Sequence, residues 1–388
     1  MIFTATMVYQ INRVGLSPLQ LVLVGTTLEI AILIFEVPTG VVADAFSRRL
    51  SIVIGYFLIG VGFILEGSLP IFSAILFAQL LWGCGYTFTS GATQAWISDE
   101  IGEAAAGHAF LRGNQIGNVA ALGGILLGTF LGAIAINFPI ILGGIGSIAL
   151  AILLISFMPE TGFKAVPRQD RETWQHLAGT FRDGLAMVKR RPALKSILAI
   201  GLLYGLFSEG FDRLWTMHIL KDMSLPFDGI IEPVVWIGLM RGIGLLLSVV
   251  ATELIQRRVD TGSHFEVARV LMLITIALIS GLFAFALAGV FIIAILAYWV
   301  IYVTRNVTAP VYTAWVNQKL DSQVRATVLS ISSQMDAVGQ ILGGPGVGMI
   351  GNAISVRAAL LTSASVLSPV LAIYSRLIHK ADLLEEEK

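Results

Sequence analysis

The sequence predicts an all-α integral membrane protein built from two related halves. Of its 388 residues, 56% are hydrophobic and only 13% are charged, which is far more apolar than a soluble domain. Long apolar runs such as residues 19–42 and 133–158 recur along the chain, and a run of about 20 apolar residues crosses a bilayer. A short motif of the first half also returns in the second half, which predicts a duplicated helical bundle.

Eleven complete spans and one shorter apolar piece account for most of the chain. The spans are predicted at residues 18–43, 50–67, 70–97, 106–135, 137–158, 194–221, 232–256, 267–288, 289–315, 325–352 and 355–378. Residues 1–9 cover at most about half of the hydrocarbon thickness at about 1.5 Å per residue. We therefore expect the natural reading frame to begin about 15–30 residues upstream of Met1.

A polar segment divides the chain into three predicted regions. These are an N-terminal bundle over 1–158, a cytoplasmic linker over 159–193 and a C-terminal bundle over 194–388. Apolar residues of the linker recur at steps of three and four, which predicts an amphipathic helix lying along the membrane interface. The alternative is a polar linker helix with incidental apolar residues. The stripe consists of Trp174, Leu177, Phe181, Leu185 and Val188.

An internal repeat relates the two halves. Residues 89–97 read TSGATQAWI, and residues 308–316 read TAPVYTAWV. In both copies a polar turn follows and leads into a glycine-rich span. The second half therefore repeats the first.

Basic residues predict the orientation in the membrane, because cytoplasmic loops collect Lys and Arg. With the central segment in the cytoplasm, Arg48 and Arg49 fall on the same side, whereas the opposite side receives Arg13, Lys221 and Arg357. We expect a multi-pass protein of the cytoplasmic membrane whose central loop and C-terminus are cytoplasmic.

Several function classes are excluded by composition. Twenty-five basic and 25 acidic residues balance, which leaves no basic face for nucleic acid. The single cysteine, Cys84, cannot form a disulfide framework, and the five histidines show no metal-ligand spacing. Residues 346–351 match GxGxxG but lie inside an apolar span. We expect no enzyme, no cofactor and no metal site.

One loop carries a family resemblance. Gly40-Val-Val-Ala-Asp44-Ala-Phe-Ser47-Arg48-Arg49 follows a span, and it resembles the loop signature of the major facilitator superfamily. The segments 36–40, 90–92, 95–96, 99–100 and 208–215 resemble the drug:proton antiporter branch that contains macrolide and tetracycline exporters. The resemblance implies two pseudo-symmetric six-helix bundles, here with a truncated first span, so eleven full spans plus a stub.

The same loop predicts a cytoplasmic gate made of Gly40, Asp44, Arg48 and Arg49. Asp44 ends a span, so its carboxylate can meet the positive N-terminal end of a neighbouring helix while Arg48 or Arg49 reaches another acid. Such a contact forms in one conformer and breaks in the other. The alternative is that the two arginines only determine topology.

Polar residues at membrane depth predict the substrate cavity, because each ionisable group there costs about 2.5–3.5 kcal/mol and needs a compensating role. In a two-bundle carrier they turn toward the central cavity. The alternative is a charge-paired fixture that holds helices in register, and aromatic residues also line helix interfaces. The predicted cavity residues are Glu29, Arg112, Asn114, Gln115, Arg213, Trp215, Arg305, Asn306 and Gln334.

Proton coupling needs a carboxylate that can gain and lose a cation as the protein cycles. Glu209 and Asp212 share a helix face, and Arg213 lies one turn from Glu209, which predicts a permanent pair there. Asp212 and Asp336 must take their cations from other spans, with Arg112 and Arg305 as candidates. The predicted carriers are Asp212 first and Asp336 second, with Glu209 structural.

The leading hypothesis is a secondary transporter that exports a small amphipathic compound in exchange for protons by alternating access. The alternatives are a proton-coupled importer or facilitator of a metabolite, and a membrane sensor or scaffold that no longer cycles. The expected partners are a small-molecule substrate, protons and membrane lipid but no nucleic acid, and the protein is expected to be a monomer.

Overall fold

The computed structural model describes residues 1–165, 179, 192–258, 264–319 and 322–386. All regular structure in these residues is helical. The chain separates into two compact units: unit 1 comprises residues 1–16 and 24–179, and unit 2 comprises residues 17–23 and 180–388. The predicted interfacial helix of the linker lies outside the described residues.

Seven α-helices precede residue 158, and α1 continues into a π-helical turn over Tyr9–Arg13. They are α1 (Ile2–Val8), α2 (Pro18–Ala45), α3 (Arg48–Ser68), α4 (Phe72–Thr89), α5 (Ala92–Ile101), α6 (Glu103–Ile134) and α7 (Phe138–Phe157). In unit 1, α3 packs against α4 and α7, and α1 packs against α6 and α7. This arrangement makes α3 the centre of the unit.

Seven further α-helices are described in the second half. They are α8 (Pro192–Asp222), α9 (Pro233–Arg258), α10 (His264–Leu287), α11 (Phe291–Lys319), α12 (Ser322–Ala353), α13 (Val356–Leu367) and α14 (Pro369–Glu386). Helix α8 packs most extensively against α12 and also against α13, while α11 packs against α9 and α10. The functional residues of unit 2 lie mainly on α8, α11 and α12.

The helix limits confirm ten of the eleven predicted membrane spans. Within the described residues, ten helical segments are long and apolar enough to cross a bilayer. Helix α12, which holds the predicted span 325–352, is 32 residues long but is not among the ten. Its sequence is more polar, because Ser332, Ser333, Gln334 and Asp336 fall in its middle.

Two predicted spans are each divided into two helices, which the apolar pattern did not reveal. The span at 70–97 breaks after Ser90, where Gly91 adopts φ +71°, a conformation that glycine reaches without the steric cost of a side chain. The final span breaks at Ser368. The second copy of the repeat stays inside α11 with Pro310 in the helix, so the two copies differ in backbone.

Glycine pairs allow helix backbones to approach closely in each unit. A Cβ on Gly60 of α3 would lie 2.6 Å from the carbonyl oxygen of Gly144 on α7. In unit 2, a Cβ on Gly339 of α12 would overlap the carbonyl oxygen of Leu202 on α8. Small residues at such crossings are typical of membrane helix packing, and here they fix the spacing between α8 and α12.

Candidate functional site

An ion pair connects α8 to α11 in unit 2. The Nη1 and Nη2 groups of Arg305 donate to the two carboxylate oxygens of Asp212, and the Nη2–Oδ2 distance is 2.8 Å. This bidentate geometry is the strongest that an arginine and a carboxylate form. The two side chains remain 30% and 44% exposed, respectively. The structure therefore brings together two predicted site residues that are 93 positions apart.

Arg305 also contacts aromatic rings, in addition to its pair with Asp212. Its guanidinium carbon is 5.5 Å from the ring centroid of Phe207 and 6.0 Å from that of Phe211. Both distances fall within the range of a cation–π contact. The pair with Asp212 thus lies on an aromatic surface of α8.

A cavity of about 380 Å³ lies on the Asp212 side of Arg305; we call it the aromatic cavity. Its walls include Phe211 and Trp215 from α8 and Tyr298 and Tyr302 from α11. The ring centroids of Trp215 and Tyr298 are 4.6 Å apart, and the interplanar angle is 33°. The described lining also contains three charged residues, Asp212, Arg241 and Arg305. Predicted residues Trp215 and Asn306 both line this cavity.

A second cavity of about 340 Å³ shares Arg305 and Ala309 with the first; we call it the hydroxyl cavity. Asp336 lines it and accepts a hydrogen bond from Gln340 Nε2 at 2.8 Å. Its other polar walls are the hydroxyl groups of Tyr204, Thr308, Tyr312, Ser332 and Ser333. Arg305 therefore faces cavities that contain the two predicted proton carriers.

Glu209 forms an ion pair with an arginine of its own helix. Arg213 Nε donates to Glu209 Oε1 at 3.0 Å, and both residues belong to α8. The Glu209 side chain is 4% exposed and that of Arg213 is 16% exposed. The spacing of four residues produces the contact that the sequence predicted.

The remaining predicted cavity residues lie on α2, α6 and α12. Arg112, Asn114 and Gln115 are exposed on α6 of unit 1, and Glu29 is half-buried on α2. Gln334 is half-buried on α12, two residues from Asp336 and so on a different face of that helix.

The predicted gate residues form a cluster at the α2–α3 loop. Arg48 pairs with Asp44 through Nη1, and its Nε lies 3.7 Å from Asp99 Oδ2 near the end of α5. Arg48 thus reaches a distant acid, as the sequence suggested. A Cβ on Gly40 would meet nothing within 4 Å, so packing within unit 1 does not require glycine there.

The acid at the helix N-terminus of this cluster is Glu160, and the expectation that Asp44 fills that role needs correction. Glu160 accepts hydrogen bonds from Ser47 Oγ at 2.7 Å and from the backbone N–H of Arg49 at 3.0 Å, in the first turn of α3. Asp44 instead accepts from Arg48. A free N–H group at a helix start attracts any nearby carboxylate, and the chain after α7 supplies one.

A buried polar network in unit 1 was missed by the sequence analysis. Glu66 is fully buried and accepts hydrogen bonds from Gln10 Nε2 at 2.7 Å and from Gln79 Nε2 at 3.1 Å. Tyr9 Oη donates to the Glu66 carbonyl at 2.9 Å. Glu66 lies at the end of its span and these partners are uncharged, so no charge pattern pointed to it. The sequence signal that could have identified Glu66 was an ionisable residue within a predicted apolar span.

No group of three or more histidine, cysteine, aspartate or glutamate side chains able to hold a metal ion occurs in the described part of the chain. His218 is fully buried, with Nδ1 2.7 Å from Asp222 Oδ2 and Nε2 3.1 Å from the Phe285 carbonyl. Both ring nitrogens are engaged by the protein, and His218 therefore serves to join α8 to α10.

Ten apolar helical segments in the described residues, together with a repeated sequence motif, are the features of a multi-pass membrane protein. The chain belongs to the Major Facilitator Superfamily, whose family model matches residues 1–344. An uncharacterized MFS-type transporter of Bacillus subtilis (strain 168), YxaM, is 22% identical over 363 residues, which cover 92% of this chain and 87% of that protein.

Solved structures of the same fold include carriers of different molecules. The nucleoside transporter NupG superposes with a TM-score of 0.74 at 16% identity and covers 97% of this chain and 95% of its own. A POT family transporter in complex with a thioalcohol-conjugated peptide superposes with a TM-score of 0.72 at 13% identity, covering 98% and 93%. These similarities confirm the major facilitator fold.

Proposed function

We propose that the chain is a secondary active transporter of the cytoplasmic membrane that exports a small amphipathic compound in exchange for protons. The observation that carries the proposal is the position of Arg305, which is paired with Asp212 and also lines the cavity that contains Asp336. Secondary transporters of this kind work by alternating access, and a cation shared by two acids gives such a cycle a proton-dependent step.

The proton-dependent step follows from charge balance. When Arg305 pairs with Asp212, its guanidinium offsets the negative charge of the Asp212 carboxylate. Movement of α11 relative to α8 would release that carboxylate, which then binds a proton while Arg305 turns toward Asp336. Protonation of one acid therefore accompanies transfer of the guanidinium to the other.

The buried pair in α8 plays a different role in this proposal. Glu209 and Arg213 lie one turn apart on one helix, so they stay together in every conformation in which α8 is intact. Glu209 is therefore the structural acid of the site, and Asp212 and Asp336 are the proton carriers.

The α2–α3 loop cluster is proposed as the cytoplasmic gate. Arg48 contacts Asp44 at the end of α2 and lies 3.7 Å from Asp99 near the end of α5. The distribution of basic residues supports a cytoplasmic location for this loop, for the central loop and for the C-terminus. Loss of the Arg48–Asp99 contact would allow α5 to move away from the α2–α3 loop.

A second candidate function is the uptake of a polar metabolite. The hydroxyl cavity favours it, because five hydroxyl groups and Asp336 offer both donors and acceptors to a polar ligand. Solved relatives in fold include nucleoside and peptide transporters. Import and export differ in the direction of proton coupling, which an experiment separates.

The test begins with a thermal-shift screen of the purified protein against drug-like compounds and metabolites. The strongest stabilising compound is then followed in proteoliposomes with an imposed pH gradient, with protein-free liposomes as the control. Export by exchange predicts that this compound moves against the proton flow and that a protonophore abolishes its accumulation. Movement with the proton flow would establish import, and binding without any flux would establish a sensor.

A further inference from the structure

His218 lies near the C-terminal end of α8, and the proposed transport cycle gives it no role. Its side chain is fully buried. Nδ1 lies 2.7 Å from Asp222 Oδ2, and Nε2 lies 3.1 Å from the carbonyl oxygen of Phe285 on α10. The described linings of the aromatic and hydroxyl cavities include neither His218 nor Asp222. The pair is therefore a second cluster of ionisable groups in unit 2.

The two partners of the His218 ring determine how many protons the pair with Asp222 holds. A neutral imidazole has one N–H donor and one acceptor nitrogen, whereas both nitrogens of an imidazolium donate. The Phe285 carbonyl and an ionised Asp222 carboxylate can only accept. A neutral ring next to an ionised Asp222 would therefore direct a nitrogen lone pair at an oxygen in a buried contact, which is unfavourable. One additional proton on the pair satisfies both contacts.

The position of the pair on α8 favours this proton on the histidine ring. The C-terminus of a helix stabilises a cation and destabilises a carboxylate. Asp222 is the last residue of α8, so its carboxylate needs a cation nearby. His218, one turn earlier, is the ion-pair partner that the described residues provide. The Asp222 side chain is 34% exposed, and it therefore connects the buried ring to solvent.

The other ionisable groups at this end of unit 2 leave the pair intact. The two turns of α9, α10, α11 and α12 nearest this end contain none, and α14 contains none before Tyr374. Arg357 on α13 donates from Nη2 to the Ala288 carbonyl at 3.3 Å. Water screens exposed charges, and the exposed charged residues at the end of α8 and in the loop that follows are Lys221, Asp228 and Glu232.

We propose that His218 and Asp222 form a proton-binding site, distinct from Asp212 and Asp336, in which the protonated ring joins the end of α8 to Phe285 of α10. The proton enters and leaves through the partly exposed Asp222 carboxylate. A ring that loses it keeps one N–H group, which stays with the charged carboxylate, so the contact with the Phe285 carbonyl is lost. Rising pH therefore loosens α10 from α8.

The first test observes the protons on the His218 ring by nuclear magnetic resonance of the purified full-length protein with nitrogen-labelled histidine. Two protonated ring nitrogens are expected at about pH 7, where an ordinary histidine is mostly neutral. In Asp222→Asn the ring should lose its second N–H at least about one pH unit lower, because its counter-charge is gone. A neutral ring at about pH 6, or no effect of Asp222→Asn, would overturn the proposal. For assignment, glutamine replaces the other four histidines of the sequence: His108, His176, His264 and His379.

The second test keeps the other histidines and compares thermal unfolding midpoints of the wild-type protein and His218→Gln at about pH 6 and about pH 9. A proton held by the folded protein stabilises it fully below about pH 6.5, the ordinary value for histidine, and this contribution is lost as pH rises. The wild-type midpoint should exceed that of His218→Gln at the lower pH, and the difference should shrink by at least about half at the higher pH. A difference that stays constant or grows with pH contradicts the site.

Glu253→Gln is the matched control, because it removes the acid of an exposed pair with the same four-residue spacing, that of Glu253 and Arg257 on α9. Its midpoint should follow the wild-type value at both pH values. Neither test requires the protein to cycle. A protonated His218 ring in a protein without flux would refute transport alone, and a neutral ring in a protein that transports would refute this site alone.

Discussion

Two acid–guanidinium pairs have their acids three residues apart on α8. They differ in the helix that carries the arginine and in how exposed the side chains are. Glu209 pairs with Arg213 on the same helix, and their side chains are 4% and 16% exposed. Asp212 pairs with Arg305 on α11, and their side chains are 44% and 30% exposed. The second pair lines the aromatic cavity.

We infer from this difference that the first pair stabilises α8 and that the second pair serves transport. A pair within one helix cannot part while the helix is intact, and burial makes the loss of one partner expensive. A pair between two helices parts when the helices move, and partial exposure makes its contribution to stability small. Each of the following variants tests one side of this contrast.

The largest effect on stability is expected for Arg213→Met. The change leaves the buried Glu209 carboxylate without its guanidinium, and breaking a buried pair in this way costs about 3–5 kcal/mol. The thermal unfolding midpoint of the purified protein should fall strongly and the yield of folded protein should drop. The midpoint is measured by the loss of monodisperse protein on heating.

The double variant Glu209→Gln with Arg213→Met is the control for this prediction. It removes both charges, so much of the stability lost in the single variant should return. If the double variant is as unstable as Arg213→Met alone, the loss comes from packing, and the pair is not the structural fixture described above.

The next effect is on transport and is expected for Asp212→Asn. The amide cannot bind a transported proton and offers Arg305 a weaker acceptor, so transport of the compound identified by screening should fall at least about tenfold, or about 1.4 kcal/mol. Stability should change by less than about 1 kcal/mol, because the pair is partly exposed. Proteoliposome flux and proton release on binding of that compound give the two readouts.

Glu253→Gln is the matched control, since it also removes a carboxylate paired with an arginine in unit 2 but at an exposed site. It should leave transport unchanged. Proton release that persists in both Asp212→Asn and Asp336→Asn and is lost only in Glu209→Gln would reverse the assignment of carriers and structural acid.

Sequence patterns predicted the helices well because an apolar run of span length rarely occurs outside a membrane helix. The limits of α2, α6 and α7 follow the predicted spans closely. The breaks at Gly91 and Ser368 were not predicted. Both lie inside predicted spans, and the positive φ of Gly91 is a backbone property that composition does not reveal.

The site was predictable where contacts are local and only partly where they are not. A spacing of four residues identified Glu209 and Arg213, whereas Arg305 was one of two candidate cations for Asp212, because no periodicity links distant helices. Glu160 was missed because an acid that follows a span resembles any solvated loop residue. Its partners, the Ser47 hydroxyl and a backbone N–H of α3, become visible only when the chain is folded.

A smaller effect on transport is expected for Asp336→Asn. Arg305 keeps its bidentate contact with Asp212, and the new amide retains an oxygen that can accept from Gln340, as the Asp336 carboxylate does now. Flux should fall only about threefold, less than for the partner that holds the guanidinium directly. A flux lower than that of Asp212→Asn would make Asp336 the principal carrier.

The smallest effect is expected in unit 1, where Arg48 repeats the contrast with a local and a distant acid. Asp44→Asn keeps the shape of the side chain and removes the local charge, while Asp99 remains 3.7 Å from Arg48 Nε. Transport should drop about twofold with folding and membrane insertion unchanged, because Asp99 still offers Arg48 a carboxylate. Asp99→Asn is the comparison, because it removes the contact between Arg48 and α5. A pair between two helices parts when the helices move, so the distant acid should matter more for cycling.

Flux is measured for both variants at equal protein density, with circular dichroism as the check on folding. Normal flux in both would leave the α2–α3 loop charges with a role in topology alone, and a larger loss in Asp44→Asn would show that the local acid controls the gate.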